Sequence, residues 1–377
     1  MNNENTTPGS RPLRVLISGG GTGGHIFPAL SIANEVRRRH PDAEILFVGA
    51  EGRMEMERVP DAGYRIVGLP VAGFDRRRLW RNFKVLAKLY RSMRMARKVL
   101  REFNPDIAVG VGGYASGPML KVAQKAGIPT LLQEQNSYAG VTNKMLARKA
   151  LAICTAYDGM EKFFPADVII KTGNPIRADI LSCPLSIAEA KKKLGFDPAR
   201  PLVLVVGGSL GARTVNEAVA AAIPALEQQG IQLLWQTGKY YAEQCAAQAE
   251  GHADVHAMAF ISDMATAYRA ADLVVSRAGA GTISELQLLG AAAVLIPSPN
   301  VAENHQYHNA KAVADAGGAV LLQDKDAVAE FAGIVVPLVQ NPQKLKQMSE
   351  AISKMALPHA AEKIVDRLED IIQNANR

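Results

Sequence analysis

The stretch SGGGTGGHIFPAL, Ser18 to Leu30, places five glycines between Ser18 and His25, with Pro28 three residues beyond the histidine. Glycine reaches positive φ freely and, having no Cβ, lets a ligand come close to the backbone. A loop of this kind running into a helix offers N–H donors and the positive end of the helix dipole to an anion. Pro28 suits the first turn of that helix, so the segment reads as strand, phosphate loop, helix. The plainer reading is a tight strand-to-helix turn with no ligand. His25 is the titrating group of the loop. An unperturbed imidazole titrates near pH ~6.5, which suits proton transfer at neutral pH. His25 is therefore the candidate general base; otherwise it hydrogen-bonds a phosphate or shapes the loop.

Gly19, Gly21 and Gly24 also satisfy G-x-G-x-x-G, and Glu51 closes the next apolar run, which is the fingerprint of nicotinamide enzymes. Three features count against it. A histidine stands where a small or apolar residue is usual, the distance from Gly21 to Glu51 exceeds the usual ~20 residues, and the loop recurs. GVGGYASGP (Gly110 to Pro118) and GGSLGAR (Gly207 to Arg213) each follow an apolar run. Three such loops suggest two phosphorylated ligands. Gly112 and Gly113 would contribute backbone, while Ser116, Tyr114 and, in the third loop, Ser209 would contribute hydroxyls; Tyr114 reads equally well as a packing residue.

A further cluster, SRAGAGTISELQ, sets a small-residue loop (Ala278 to Gly281) before a helix expected to begin at Thr282. Glu285 is placed either to accept from a ribose diol or, with Thr282, to form a capping box. Gln306 and Asn309, three apart in ENHQYHNA, form an amide pair able to donate to and accept from sugar hydroxyls.

The elements that must hold these loops follow from hydrophobic periodicity. RVLIS, EILFVG, DIAVGVG, TLLQ and LAICT read as buried strands with amphipathic helices between them, which argues for βαβ units and a parallel sheet. The pattern restarts at Pro201: PLVLVVGGSLGARTVNEAV echoes PLRVLISGGGTGGHIFPAL, and IQLLWQ, VHAMAF, LVVSRAG, AAVLIP and GAVLLQ follow as strands. The expectation is an α/β protein of two Rossmann-like, doubly wound domains facing across a cleft. Residues 1–11 form a flexible tail, 12–176 the first domain and 177–358 the second. The segment 359–377 is a terminal helix whose spacing leaves open which domain it packs on, with the first domain the expectation. Ligands are expected at the carboxyl ends of the strands.

Bulk composition narrows the classes. The 377 residues are 48% hydrophobic with a net charge of +7, enough for two cores and a mild preference for acidic partners. Three dispersed cysteines (Cys154, Cys183, Cys245) give neither a disulfide framework nor a metal spacing. The polar amino terminus carries no signal-peptide core, and no run approaches the ~20 apolar residues of a spanning helix. FDRRRLWRNFKVLAKLYRSMRMARKVLREF has no acidic residue between Asp75 and Glu102. Its start, with Phe74, Leu79, Trp80 and Phe83 among Arg77, Arg78, Arg81 and Lys84, reads as a contact with an anionic membrane surface. Its later turns (Leu86, Tyr90, Met93) read as a core-packed helix with a solvated basic face. Nucleic acid is the rival partner for this patch, but no recognised nucleic-acid fold accompanies it.

Taken in order, GGGTGGHIFPAL, GGYASGP, QEQNSYAGVTNK, GNPIR, GGSLGAR, FISDM, AGAGTISE and NHQYHNA resemble the bacterial peptidoglycan glycosyltransferases of family 28. The resemblance runs from about Arg11 to the carboxyl terminus. It implies the GT-B fold and transfer of N-acetylglucosamine from UDP-N-acetylglucosamine to undecaprenyl-pyrophosphoryl-N-acetylmuramoyl-pentapeptide, the step from lipid I to lipid II. It also implies roles. Ile261 pairs with uracil through its backbone, Glu285 takes the ribose, and Arg177 lies at the nucleotide. Ser209 with Ala280, Gly281, Thr282, Ile283 and Ser284 holds diphosphate and sugar. Gln306 reads sugar hydroxyls, while Thr22, Gly23, Gly24 and Asn136 reach the donor sugar from the first domain. Gly19, Gly20, Gly21, Gly112, Gly113, Tyr114 and Ser116 face the acceptor pyrophosphate. The chain departs from the family at Gln133, often histidine there, at Leu210, often polar, and at Ala278, often serine.

The implied chemistry is an inverting displacement with an oxocarbenium-like transition state. It needs a base for the attacking 4-hydroxyl and stabilisation of the departing UDP. His25 fills the first need, with His305 as a weaker donor contact. Helix amino termini, Arg177 and loop N–H groups fill the second without a bound metal. No tightly bound cofactor is expected, and Mg²⁺ enters only as a stimulating companion of UDP. The expected place is the cytoplasmic face of the bacterial cell membrane, peripherally, with other cell-wall enzymes as neighbours and no nucleic acid. A UDP-sugar epimerase is the main alternative; a nicotinamide oxidoreductase or a non-catalytic UDP-sugar sensor explains less of the pattern.

Overall fold

The computed structural model describes residues 11–71, 83–176, 178–208 and 210–375. The chain forms two compact units. One takes in the chain up to Gln135, Ala139–Pro175 and everything from His359 on; the other takes in Asn136–Tyr138 and Ile176–Pro358.

The first unit runs β1 (Arg14–Ser18), α1 (Gly23–Arg39), β2 (Glu44–Ala50), α2 (Glu55–Asp61), β3 (Arg65–Leu69), α3 (Phe83–Phe103), β4 (Ile107–Gly110), α4 (Ser116–Lys125), β5 (Thr130–Glu134), α5 (Val141–Leu146), β6 (Ala152–Thr155) and β7 (Ile169–Lys171). Its strands are parallel in the order β3-β2-β1-β4-β5-β6-β7. Central strands are apolar on both faces because helices cover both sides: Val15, Leu16 and Ile17 of β1 and Ile107, Ala108 and Val109 of β4 are wholly buried. Two strands lie beyond the five read from the sequence. β3 and β7 are the sheet's edges and are largely half-exposed, so neither shows a continuous apolar run.

The second unit runs α6 (Ile187–Lys193), β8 (Leu202–Val206), α7 (Arg213–Gln228), β9 (Gln232–Gln236), α8 (Ala242–Ala249), β10 (Val255–Met258), α9 (Met264–Ala270), β11 (Leu273–Ser276), α10 (Ala280–Leu289), β12 (Ala293–Leu295), α11 (His305–Asp315), β13 (Ala319–Leu321), α12 (Ala327–Val339) and α13 (Pro342–Ser353). Its parallel sheet is ordered β10-β9-β8-β11-β12-β13. The last helix, α14 (Ala360–Ala375), returns to the first unit. Ile364, Val365, Leu368 and Ile371 recur at helical spacing and are buried in the core that β1 and α1 share with Ile32 and Val36. Arg39 of α1 fastens the helix from outside, bonding Asp366, Glu369 and its own helix's Glu35.

Two helix starts differ from the sequence reading. α1 begins at Gly23, so Pro28 lies in its second turn rather than its first. α10 begins at Ala280 with Gly279 as its N-cap, so Thr282 is already inside the helix and makes no capping box with Glu285.

Candidate functional site

Doubly wound sheets bind ligands where the strand order reverses, because the loops on either side diverge there and leave a crevice. In the first unit the reversal lies between β1 and β4, which pair Ser18 with Gly110. The first and second glycine loops leave the sheet from these two strand ends. In the second unit it lies between β8 and β11, which pair Val206 with Ser276. The GGSLGAR loop and the Arg277–Gly279 segment leave there. The helices that follow these four segments, α1, α4, α7 and α10, have no side chain capping their first-turn N–H groups. By contrast Ser186, Asp263 and Asn341 cap α6, α9 and α13. Uncapped N–H groups at a helix start are the donors an anion uses.

In the first unit the two loops pack on one another. Side-chain room for Gly112 is taken by the His25 ring, with Nε2 2.9 Å from where a Cβ would stand. A Cβ on Gly113 would fall on the Gly20 carbonyl. His25 is half-buried in the first turn of α1, its Nδ1 3.3 Å from Thr22 Oγ1. Thr22 thus turns toward the imidazole instead of capping its helix. Gly23 and Gly24 are the next two residues of that turn. Ser116 is fully buried, and its hydroxyl donates to the carbonyls of Ser18 and Gly112. This corrects its reading as a hydroxyl donor to phosphate: the proton is used to tie the second loop to β1. Tyr114 is 56% exposed, which excludes the packing alternative. Gly21 donates its N–H to a carboxylate of the protein itself, Glu55.

The QEQNSYAGVTNK segment is a buried network. Gln133 Nε2 donates to Asn174 Oδ1 at 2.9 Å, Gln135 Nε2 to the Val111 carbonyl at 2.9 Å, and Asn174 Nδ2 to the Gln135 carbonyl at 3.0 Å. Glu134 accepts from Gly140 N and Asn143 Nδ2, both at 3.0 Å. Gln133, where the family often has histidine, is therefore an internal brace.

In the second unit, Glu285 is half-buried and accepts from the Tyr268 hydroxyl at 3.0 Å, which fixes its carboxylate on α10. Gly281 faces open space where a side chain would be, and Thr282 is half-exposed beside it. Ala280, Ile283 and Ser284 are buried, Ile283 completely and within the core; its side chain packs, and only backbone is left to serve a ligand. Ile261 is 3% exposed and its N–H donates to Gln236 Oε1 at 3.1 Å, which conflicts with pairing that N–H to a base. Gln306 accepts from Ser298 N at 2.8 Å and so shapes the turn after β12. Asn136, expected in the first domain, groups with the second unit. Buried Asn309 donates to Asn136 Oδ1 and accepts from Ser137 N and Oγ, so it clasps that segment instead of reading a sugar. Sequence reading missed Arg277. It bonds Asp324 and the carbonyls of Ile296 and Pro297, while Asp324 accepts from Thr214 of α7. Nothing in the spacing of these residues signals the pairing.

Arg177 and Ser209 lie outside the described residues, as do Phe74, Arg77, Arg78, Leu79, Trp80 and Arg81. Phe83 and Lys84 open α3. Further along it, Leu89 and Tyr90 are exposed, Tyr90 at 70%, together with Lys88, Arg91 and Arg94. Of the residues expected to pack, Tyr90 departs, Met93 is half-buried and the Leu86 side chain lies outside the described residues; the helix is buried at Ser92, Ala96, Val99 and Leu100. Among the described residues no cluster of three or more His, Cys, Asp or Glu could hold a metal ion, and no helix is long and apolar enough to cross a membrane.

Known proteins share both the sequence and the fold. The profile of the glycosyltransferase family 28 N-terminal domain matches residues 15–155, and that of its C-terminal domain matches residues 202–364. A relative from Bacteroides thetaiotaomicron, named UDP-N-acetylglucosamine–N-acetylmuramyl-(pentapeptide) pyrophosphoryl-undecaprenol N-acetylglucosamine transferase, is 55% identical over 97% of this chain and 100% of its own. The crystal structure of Acinetobacter baumannii MurG is 30% identical, covers 95% of this chain and 100% of its own, and superposes with a TM-score of 0.77. A UDP-N-acetylglucosamine 2-epimerase structure covers 97% of this chain and 98% of its own at TM-score 0.62, but at 15% identity it shares the fold alone. With both domain profiles matched in order and identity sustained along the whole chain, the protein has the GT-B fold and belongs to glycosyltransferase family 28.

Proposed function

We propose that this enzyme transfers N-acetylglucosamine from UDP-N-acetylglucosamine to the 4-hydroxyl of undecaprenyl-pyrophosphoryl-N-acetylmuramoyl-pentapeptide, with inversion at the anomeric carbon. The observation that carries the reading is the 55% identity, spanning both units, to a relative named for that transfer. The chemistry of the loops agrees with it. His25, oriented by Thr22 and wedged over Gly112, takes the proton from the attacking hydroxyl. The amino terminus of α1, through Gly23 and Gly24, and the Gly112–Tyr114 turn meet the acceptor's pyrophosphate. In the second unit Glu285 binds the ribose. The uncapped starts of α7 and α10 meet the growing charge on the departing UDP, and Ser209 and Arg177 keep the nucleotide roles that the family resemblance implies. Mg²⁺ stimulates the reaction without being required. The basic, aromatic start of the segment from Phe74 to Lys84 holds the enzyme peripherally on the cytoplasmic face of an anionic membrane, where its lipid-linked acceptor lies.

The test is a transfer assay with radiolabelled UDP-N-acetylglucosamine and a short-chain lipid I analogue, with UDP-N-acetylgalactosamine as control. Label is expected in the lipid product from the first donor alone. Donor binding without transfer, accompanied by conversion of free donor to its 2-epimer, would replace this reading with the epimerase one. Membrane binding is read separately. Leu79→Glu with Trp80→Glu should reduce sedimentation with anionic vesicles, and unchanged binding removes the patch from the account.

A further inference from the structure

We propose that Glu55 is a positioning residue for the transfer: an internal carboxylate that occupies the first glycine loop and sets the backbone from which Thr22 and His25 project. Glu55 does not belong to the loop. It stands in the first turn of α2, and its side chain reaches back across the ends of β1 and β2. There it is 1% exposed, with Oε2 accepting from Gly21 N–H at 2.8 Å and Oε1 accepting from Ala50 N–H at 2.9 Å. The space it fills is the space two glycines leave. A Cβ on Gly20 would fall on the carboxylate, and one on Gly49 would come within 2.5 Å of Glu55 Cγ.

The loop therefore closes on an anion of its own. Gly20 and Gly21 hold φ of +143° and +92°, and the bond to Glu55 fixes the second of these peptides. A charged acceptor bonding two backbone N–H groups is a stronger tie than a neutral one. From Gly20 the packing continues to Gly113, and from Gly112 to the His25 ring. Glu55 thus acts on the histidine through the loops and touches no substrate. It also takes the Gly21 N–H away from any incoming phosphate, while the start of α1 at Gly23 and Gly24 carries no side-chain cap.

The kinetic part of the test rests on the transferase reading, so wild-type activity is measured first. Glu55→Ala and Glu55→Gln are then compared. A misplacement of about 1 Å can cost on the order of a hundredfold in rate, so kcat for Glu55→Ala is expected to fall at least about tenfold. KM for UDP-N-acetylglucosamine should stay within about twofold. Formate should fill the vacated site and restore part of the rate, with no effect on wild type. Glu55→Gln keeps the volume but presents an NH₂ to one of the two N–H groups, and it should show the same kcat-selective loss. If Glu55→Ala does not fold, Glu55→Gln decides. Hydrogen exchange at Gly21 and Ala50 gives a readout independent of activity: both amides should exchange faster in a folded variant. Should wild type fail to transfer, the function reading falls and exchange alone judges the loop. Unchanged exchange with unchanged kcat, or a loss shared equally by kcat and KM without formate rescue, overturns the proposal.

Discussion

Three glycines in the first unit have similar backbone torsions but different neighbours, and alanine at each should separate the effects. Gly21, Gly112 and Gly113 lie at φ +92°, +90° and +86°. Left-handed backbone costs a residue with a Cβ roughly 1–2 kcal/mol. At Gly21 nothing lies within 4 Å of the added methyl, so Gly21→Ala should cost about that torsion and little else. At Gly112 the methyl meets His25 Cδ2 and Nε2 at 2.9 Å. The imidazole can turn away, at a further ~0.5–1.5 kcal/mol for leaving its rotamer. Gly112→Ala should therefore destabilise by about 1.5–3.5 kcal/mol and, because the displaced group is the proposed base, lower kcat far more than it weakens donor binding. At Gly113 the methyl falls on the Gly20 carbonyl, with Gly20 N at 3.1 Å. Backbone cannot rotate aside, so Gly113→Ala should be the most damaging of the three, above about 3 kcal/mol when its strain is added to the torsion. Urea unfolding gives the stability order and transfer kinetics give the split. If Gly112→Ala matches Gly21→Ala in both stability and kcat, the histidine is not wedged over the second loop and the geometric case for its role fails. If Gly113→Ala is as mild as Gly21→Ala, the two loops do not pack as described.

Three other outcomes follow from the same structure. Leu368→Ala removes a fully buried side chain from the core shared by α14 and α1 and should cost ~2–5 kcal/mol in urea unfolding; a loss under about 1 kcal/mol would mean that α14 is not a working part of that core. Burial pushes the Cys154 thiol up to about 12 and the Cys245 thiol up to about 11, so both stay protonated at pH 8. A thiol reagent should then label Cys183 in the native protein and the other two only in urea, and fast native labelling of all three would contradict the burial. Asp263 is held down at about 2, first by its bond to Lys193 and then by Thr266, which it caps. Its folded value lies below the unfolded ~3.9, so its contribution is present above that pH and is lost as pH falls from about 4 through 2. Glu and Asp groups elsewhere titrate there too, so the measurement is the difference between wild type and Asp263→Asn, which should shrink across that window; parallel curves would refute the linkage.

How far the sequence could be read depended on what each residue's meaning required. Central strands such as RVLIS and LVLVV were legible because a strand covered by helices on both faces must be apolar throughout. Edge strands RIVGL and IIK were not, since half their surface meets solvent and the apolar signal is diluted. The restart at Pro201 was legible because a second unit needs its own strand, loop and helix. The segment Asn136–Tyr138 was not, because its grouping with the second unit depends on Asn309, more than 170 residues away.

Glycine marks the limit most clearly. Its presence says that a Cβ is absent, and leaves open what uses the vacated space. Read alone, the run Gly19 to Gly24 suggested room for a ligand's phosphate. In the folded protein Glu55 claims Gly20 and Gly49, Gly20 backs onto Gly113, and His25 lies on Gly112. These glycines serve mainly to let the protein's own groups converge. The amides carry the same ambiguity. Gln306 holds Ser298 N and Asn309 holds Ser137, although either would suit a sugar. The anion-binding capacity of the first loop therefore does not scale with its glycine count. On the proposed function it falls to the start of α1 beside the histidine, which no side chain caps. Gly23 and Gly24 are where an acceptor pyrophosphate should be sought, and a substitution confined to Gly21 should leave acceptor affinity largely intact.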